Sequence, residues 1–520
     1  MSREKELTIR ENWKCFVACS IIILAPFQYG LDFGMIGGLQ AMPGFLKVFG
    51  HEAPETPLGW NIDTVRQQLI SSLMTLGAFI TSASAGVIAK WLGRRACLWL
   101  ASALCAVANI MMMTTTDIGA LYVGRFIIGC SNGYFVTFSQ LYLQECSPAK
   151  YRGLFLTGYQ FFTSFGTLIG TVVDNETATF MDKSAYLIPL GVIYILPAIM
   201  TVAMFFIPES PRWLLAHNKP EQARRSLLWL RPSEEQAERE LVEIQTALEI
   251  EQRHATGNSL MQLINNPVDR RRTGLCLGAV GCQAASGAMF IIAYKTYFLG
   301  MAGADDPFLY SVVLSVGGCV VIILNSFVVV RYGRRRYFLG TGLAVCGFAQ
   351  LIIAIVYDKN PGSASTGKSI VGLSAVYMVV YSGAVAPYAW LSGGEMPSQR
   401  LRSYTFGLSA ALGFLGAWLA TFTAPYFINP DSLDWGPRYG YIWFPSCIVT
   451  SIWVFMFLPE TKGRTLEQIN EMFEKRVSAW KFHSYQCTSI GEAEEQDPKK
   501  SLEETVMEEK IPAKESMTTV

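Results

Sequence analysis

The sequence predicts an all-α membrane protein of twelve transmembrane helices in two pseudo-symmetric six-helix halves. Three observations carry that expectation: an apolar composition, a six-plus-six array of spanning segments, and an internal repeat. Apolar residues make up 51% of the 520 residues and charged ones 16%, with a mean hydropathy of +0.29. So little polar surface cannot cover a water-soluble chain of this length, and the excess apolar surface faces a lipid bilayer. The 42 basic and 41 acidic residues leave a net charge of +1, with no basic face suited to nucleic acid. The twelve cysteines fall mostly in apolar stretches and form no CxxC pair. They read as small buried hydrophobes rather than a disulfide framework.

Residues 1–14 form a charged cytosolic N-terminus with Arg3, Glu4, Lys5, Glu6, Arg10 and Glu11. The apolar segment that follows is too long for a cleavable signal and reads as an anchor and first span. The N-terminal six-helix half, 15–207, holds spans near 15–38, 67–89, 96–116, 120–143, 154–174 and 185–207, each able to cross roughly 30 Å of hydrocarbon. A polar stretch rich in helix formers, 208–272, reads as a cytosolic helical linker. The C-terminal half, 273–458, adds spans near 274–299, 309–330, 337–357, 370–394, 404–428 and 438–458. A cytosolic helix region follows at 459–485, and the acidic stretch 486–520 reads as a disordered cytosolic tail.

Basic residues cluster at alternate joints: Lys90, Arg94 and Arg95; Lys150 and Arg152; Arg270 to Arg272; Arg331 with Arg334 to Arg336; Arg400 and Arg402. The positive-inside rule places these joints, the linker and both termini in the cytosol, and the chain in the cell membrane as a multi-pass protein. The opposite loops carry Asp305, Asp306, Asp431 and Asp434, and a sequon at Asn175 makes that residue a candidate glycosylation site on a surface loop.

Three landmarks of the first half recur in order in the second. Gly93-Arg94-Arg95 returns as Gly333-Arg334-Arg335, Glu145 with Pro148 and Arg152 as Glu395 with Pro397 and Arg402, and Pro208-Glu209-Ser210 as Pro459-Glu460-Thr461. Two halves related this way are a known plan for moving a small solute, with its site at mid-membrane between them and access alternating as they rock. The repeated charges sit at cytosolic helix ends, where arginines pair with glutamates or helix C-terminal carbonyls and lock the inner face shut. The expected inner-gate set is Arg94, Glu145, Arg152, Glu209, Arg212, Arg334, Glu395, Arg402 and Glu460.

Tyr29-Gly30-Leu31-Asp32, Gly124-Arg125, Tyr142-x-x-Glu145-x-x-Pro148-x-x-x-Arg152-Gly153, Pro208-Glu209-Ser210-Pro211-Arg212-Trp213-Leu214 and Pro459-Glu460-Thr461-Lys462-Gly463-Arg464 are distinctive motifs. On them the chain resembles the sugar porter family of the major facilitator superfamily over roughly residues 15–475. Glu395-Met396-Pro397 with Leu401-Arg402, and Tyr297-Phe298, look most like the fungal α-glucoside (maltose permease) branch. The resemblance implies the major facilitator fold and a functional monomer that needs no cofactor or metal.

Asp32 demands its own account, because a carboxylate inside an apolar helix costs several kcal/mol unless paired or protonated. None of the four histidines (His51, His217, His254, His483) lies in a span, so a proton relay here uses carboxylates. The resemblance implies that Asp32 takes the proton and that Arg125 pairs with its charged form; a static structural ion pair remains the alternative.

At the expected solute site two amides match the family, Gln160 and Gln283, and Trp390 offers an aromatic face to a ring. Elsewhere the family's polar groups are replaced: Ala284 and Met289 in span seven, Thr167 in span five, and Gly413-Phe414 in span eleven. The substrate-binding set is therefore Gln160, Gln283, Met289, Trp390 and Phe414, a pocket suited to a less hydroxylated solute than a hexose. Lys295, near the outer end of span seven, is expected to snorkel to the interface. At ~100° per residue it lies about 120° around the helix from Gln283, and only a break at Gly287 would turn it inward, where it would suit an anionic solute.

Three readings follow. The first is a secondary active transporter of a sugar, glycoside or sugar-like metabolite, coupled to protons. The second is an exporter or importer of a less polar secondary metabolite or organic acid on the same scaffold. The third is a nontransporting nutrient receptor, which would call for a longer signalling tail. No P-loop, clustered metal ligands or nucleophile–base constellation supports an enzyme.

Overall fold

A computed structural model describes residues 12–487 apart from 55–58, 148, 254–264, 362, 399–400, 463, 465 and 486. The residues before 12, the tail from 488, and the side chains of Arg152 and Arg402 lie outside the described residues. The described chain divides into two units between Leu458 and Pro459.

In the first unit every expected span falls on a helix. The first span is Trp13–Ile22 continued by Ala25–Leu39. The second and third form one assigned helix, Thr64–Thr114, that turns at Gly93 (φ 77°, ψ 170°), a backbone conformation open to glycine because it has no Cβ. The fourth and fifth are Ile118–Cys146 and Ala149–Thr177, and the sixth is Ser184–Val192 with Ile195–Phe206. After the linker come the seventh, Pro267–Ala285 with Ala288–Met301, the eighth, Pro307–Tyr332, and the ninth, Arg335–Lys359. The tenth runs Ala364–Val380, a π turn at Tyr381–Val385, then Ala386–Glu395; Arg402–Ile428 and Gly440–Phe457 complete the set.

Spans four and five fall short of the hydropathy that marks the others as membrane-crossing by composition. Their polar residues, such as Asn132, Ser139, Thr171 and Asp174, are buried between helices instead of facing lipid. Lipid-facing surfaces are apolar, as on span six, where Ile195, Ile199, Val202, Phe205 and Phe206 are exposed. The halves meet mainly where span eleven packs on two, eight on five and seven on one, with span ten also touching five.

Linker helices Pro211–Ala216, Pro220–Leu230 and Glu234–Arg253 share an apolar core of Leu214, Ala223, Leu227, Ala237 and Leu241. Arg231 ties them to span four by donating to Glu240 at 2.6 Å and to the Cys146 carbonyl at 3.1 Å. The second unit holds the helix Leu466–Glu474, where Arg464 donates to the carbonyls of Phe482 and Tyr485 at 3.2 and 2.6 Å.

Candidate functional site

The expected pair is formed. Arg125 Nη1 donates to Asp32 Oδ1 at 2.7 Å, with both side chains 2% exposed. Asn132 Nδ2 donates to the other Asp32 oxygen at 3.2 Å, and Arg125 Nε donates to the Ile70 carbonyl at 3.0 Å. Among the described residues the pair's hydrogen-bond partners come from spans one, two and four, all in the first half. Burial removes water from both charges, and the supplementary hydrogen bonds make the pair tolerable there.

One face of span one carries Asp32; Tyr29, Gly30 and Phe33 line a cavity between the halves. All five expected residues, Gln160, Gln283, Met289, Trp390 and Phe414, line it too. Gln283 is already engaged, donating to Tyr381 Oη at 2.7 Å and accepting from Trp390 Nε1 at 2.9 Å. Thr167 also lines the cavity, but its hydroxyl donates to backbone carbonyls of Gly30 and Thr163, each at 3.1 Å. Ala284 is turned toward span eleven: a Cβ built on Gly416 would lie 2.5 Å from the Ala284 methyl. The wall thus commits Gln283 and Thr167 to neighbours and presents much apolar surface. Tyr381 was missed by the sequence reading; its π turn is the kind of local irregularity that gathers at functional sites.

At the basic end, charge pairs form within each half. Glu145 accepts Arg94 Nε and Nη2 at 3.0 and 2.7 Å and the Ser210 hydroxyl at 2.5 Å. Its counterpart Glu395 is bound by Arg335 at 3.3 and 2.8 Å, not by the expected Arg334. Arg334 is the extended residue before its helix (φ −78°, ψ 110°) and lies over the Tyr337 ring. In each half the pairing arginine is the first helical residue after the turn, and that residue arrives one position later in the second half. Glu209 accepts the backbone N–H groups of Arg94 and Arg95 at 3.0 and 3.1 Å, capping the start of span three. Burial pushes its carboxyl above the ordinary carboxylate range, and the N–H bonds from Ser210, Arg95 and Arg94 oppose that shift. Arg212 is half-buried and engaged by neighbours, and Glu460 accepts the Lys462 N–H at 3.1 Å within the second unit. Among the described residues, the Arg94–Glu145 and Arg335–Glu395 pairs each lie within one half.

Polar contacts across the halves, among the described residues, gather at the opposite end, called the far end below. Asn61 donates to Asn429 at 3.1 Å and accepts from Tyr297 at 3.0 Å, and Asn429 donates to Gln67 at 2.9 Å. His51 stands 3.8 Å from both Asp63 and Asp431, an exposed and weak arrangement. Lys295 does not snorkel: it is 1% exposed. Span seven breaks at Gly287 (φ 77°), which turns the outer segment and brings Lys295 Nζ onto the Ser315 hydroxyl. Tyr377 and Gln350 satisfy the freed Ser286 carbonyl at 2.9 and 3.3 Å. Asn175 sits in the last turn of span five rather than on a surface loop, with the sequon's Thr177 3% exposed.

A family profile described as "Sugar (and other) transporter" matches residues 18–473. Similar curated proteins include the Major facilitator-type transporter ecdD of Aspergillus rugulosus, 26% identical over 95% of this chain and 94% of the other. The Low-affinity glucose transporter of Kluyveromyces lactis is 26% identical over 92% and 86%. Maltose permease MAL31 of Saccharomyces cerevisiae is 28% identical over 96% and 82%. Among solved structures, the partially occluded inward open xylose transporter XylE from E. coli superposes with a TM-score of 0.69 at 18% identity, covering 87% of this chain and 100% of that one. That likeness establishes the major facilitator fold.

Proposed function

Since the chain belongs to the sugar (and other) transporter family, we propose that it is a proton-coupled secondary transporter of a sugar, glycoside or sugar-like metabolite. The observation that carries the reading is the buried Asp32–Arg125 pair one residue from Phe33, a wall residue of the cavity between the halves. Span one links the two: its Tyr29 meets Phe414 of the second half edge-on, with ring centroids 5.8 Å apart. Protonating Asp32 removes the charge that holds span one to Arg125, and that span can then shift against span four and carry the cavity wall with it. Alternating access follows, with the basic end facing the cytosol, both termini on that side, the chain in the cell membrane and the monomer as the working unit.

Within the solute site, Gln160, Gln283 and Tyr381 orient hydroxyls while Trp390 stacks on a ring. The motif likeness to α-glucoside permeases points to a glycoside. A second reading, a less polar metabolite or organic acid, draws support from the Met289, Ile292, Met378 and Phe414 surface and from the Gln283 amide being committed to its neighbours. Uptake of radiolabelled sugars, glycosides, polyols and organic acids in a transporter-deficient host, at two external pH values, tests both. Acid-stimulated uptake of a glycoside or sugar supports the first; accumulation of only weakly hydroxylated solutes supports the second; no uptake of any solute by surface-expressed protein overturns both.

A further inference from the structure

A second pair of buried charges lies across the halves at the far end. Asp174, on span five, is 1% exposed, and neither of its carboxylate oxygens accepts a hydrogen bond among the described residues. Lys295, on span seven, is likewise 1% exposed, and its ammonium donates to the Ser315 hydroxyl. Ser315 is reached from the other half as well, by Thr171 Oγ1 at 3.3 Å. Thr171 lies three residues before Asp174 on the same helix, so the Thr171–Ser315–Lys295 contacts bring the two groups to one seam, beyond ion-pair contact.

Consecutive glycines on span one create this arrangement. A Cβ on Gly37 would lie 2.6 Å from the Ala293 carbonyl, so bare backbone lets span seven approach span one. A Cβ on Gly38 would lie 2.0 Å from Asp174 Oδ2, so only glycine leaves room for that carboxylate. The same close approach that seals the far end thus encloses Asp174 and Lys295 together.

We infer that Asp174 and Lys295 are a far-end charge latch: closure brings an anion of one half and a cation of the other into a shared dry chamber, and their mutual compensation holds that end shut. Two opposite charges buried near each other compensate; one alone is a stranded charge, which is far costlier than either the pair or two neutral groups. Opening parts the halves and returns both groups to water. The latch rests on the alternating-access reading, but not on which solute is carried.

The test follows far-end opening instead of uptake. A reporter cysteine replaces Ala417, a cavity-lining residue, in full-length protein with its other cysteines removed, and impermeant thiol reagent is applied to intact cells and to inside-out vesicles. Asp174→Asn and Lys295→Met should each raise far-side labelling several-fold, the double variant should return toward the parent, and Lys295→Arg should label like the parent. Gly37→Ala, which wedges the same seam without touching a charge, should also raise far-side labelling. Single variants that label like the parent, or a double variant showing the sum of both effects, would overturn the latch. So would a Lys295→Met variant with parental labelling but altered competition by acidic solutes, since that outcome assigns the ammonium to the solute. Uptake that fails in every variant while labelling behaves as expected would count against the solute assignment and not against the latch.

Discussion

Asp32 and Arg125 meet at 2.7 Å on spans one and four, and among the described residues the pair's other hydrogen-bond partners belong to the same half. Under the proposed coupling, the pair would act on the geometry of one half and span one would transmit the change to the cavity. Asp32→Asn mimics the protonated state, so proton-driven accumulation into vesicles should vanish while exchange of labelled for unlabelled solute persists. Accumulation that survives in the variant and collapses when the gradient is dissipated would show that another group carries the proton. Arg125→Ala leaves a buried carboxylate uncompensated and should cost about 3–5 kcal/mol, whereas Asp32→Asn with Arg125→Met should melt closer to wild type in detergent.

Met289 lines the cavity, whereas Ala284 faces Gly416 of span eleven. Met289→Asn should strengthen competition by hydroxyl-rich sugars, because it adds a donor and an acceptor at an apolar part of the wall. Ala284→Gln should instead push spans seven and eleven apart and lower the melting temperature without the same gain. Equal shifts in sugar preference from both substitutions would contradict this division of roles.

The two arginines after Gly333 can be separated experimentally. Arg335→Ala removes a bidentate partner of Glu395 and should cost about 1.5–3 kcal/mol, the range for hydrogen bonds to charged groups. Arg334→Ala, at an exposed position before the helix, should stay within about 0.5 kcal/mol. Thermal melts of the two purified variants decide the matter, and the reverse ranking would restore the assignment read from the repeat.

Orientation is checked by single cysteines on a cysteine-free background. Glu235→Cys in the linker should resist impermeant thiol reagent in intact cells, and Asp306→Cys should label. Comparable labelling at both positions would refute the placement of the basic end in the cytosol.

The helices were legible because lipid imposes long apolar stretches, and even spans four and five, weaker by hydropathy, are long enough to be read as crossings. Asp32 and Arg125 stood out as charges inside apolar segments. Asp174 carried the same signal in Thr171-Val172-Val173-Asp174 but, as the last residue of its expected span, was not singled out. Lys295 was misplaced because continuous helical geometry was assumed through Gly287, where a positive φ resets the angle between residues before and after it. The choice of Arg335 over Arg334 depends on where a helix begins, a one-residue matter that repeat spacing does not determine. Which cavity amides remain available was equally hidden, because Gln283 is committed by Tyr381 and Trp390, partners about a hundred residues away in sequence but adjacent in space.

The break at Gly287 also shapes how the protein would respond to blockers. It divides span seven into a segment bearing Gln283 and a segment bearing Lys295 and Tyr297. An unbroken rod would force both segments to turn together; a jointed one lets the outer segment swing while the inner contact with solute stays in place. A compound wedged against the outer segment after closure would imprison solute already bound, so its inhibition should deepen as solute concentration rises, an uncompetitive pattern in uptake kinetics. A compound seated beside Gln283 should show the ordinary competitive pattern instead.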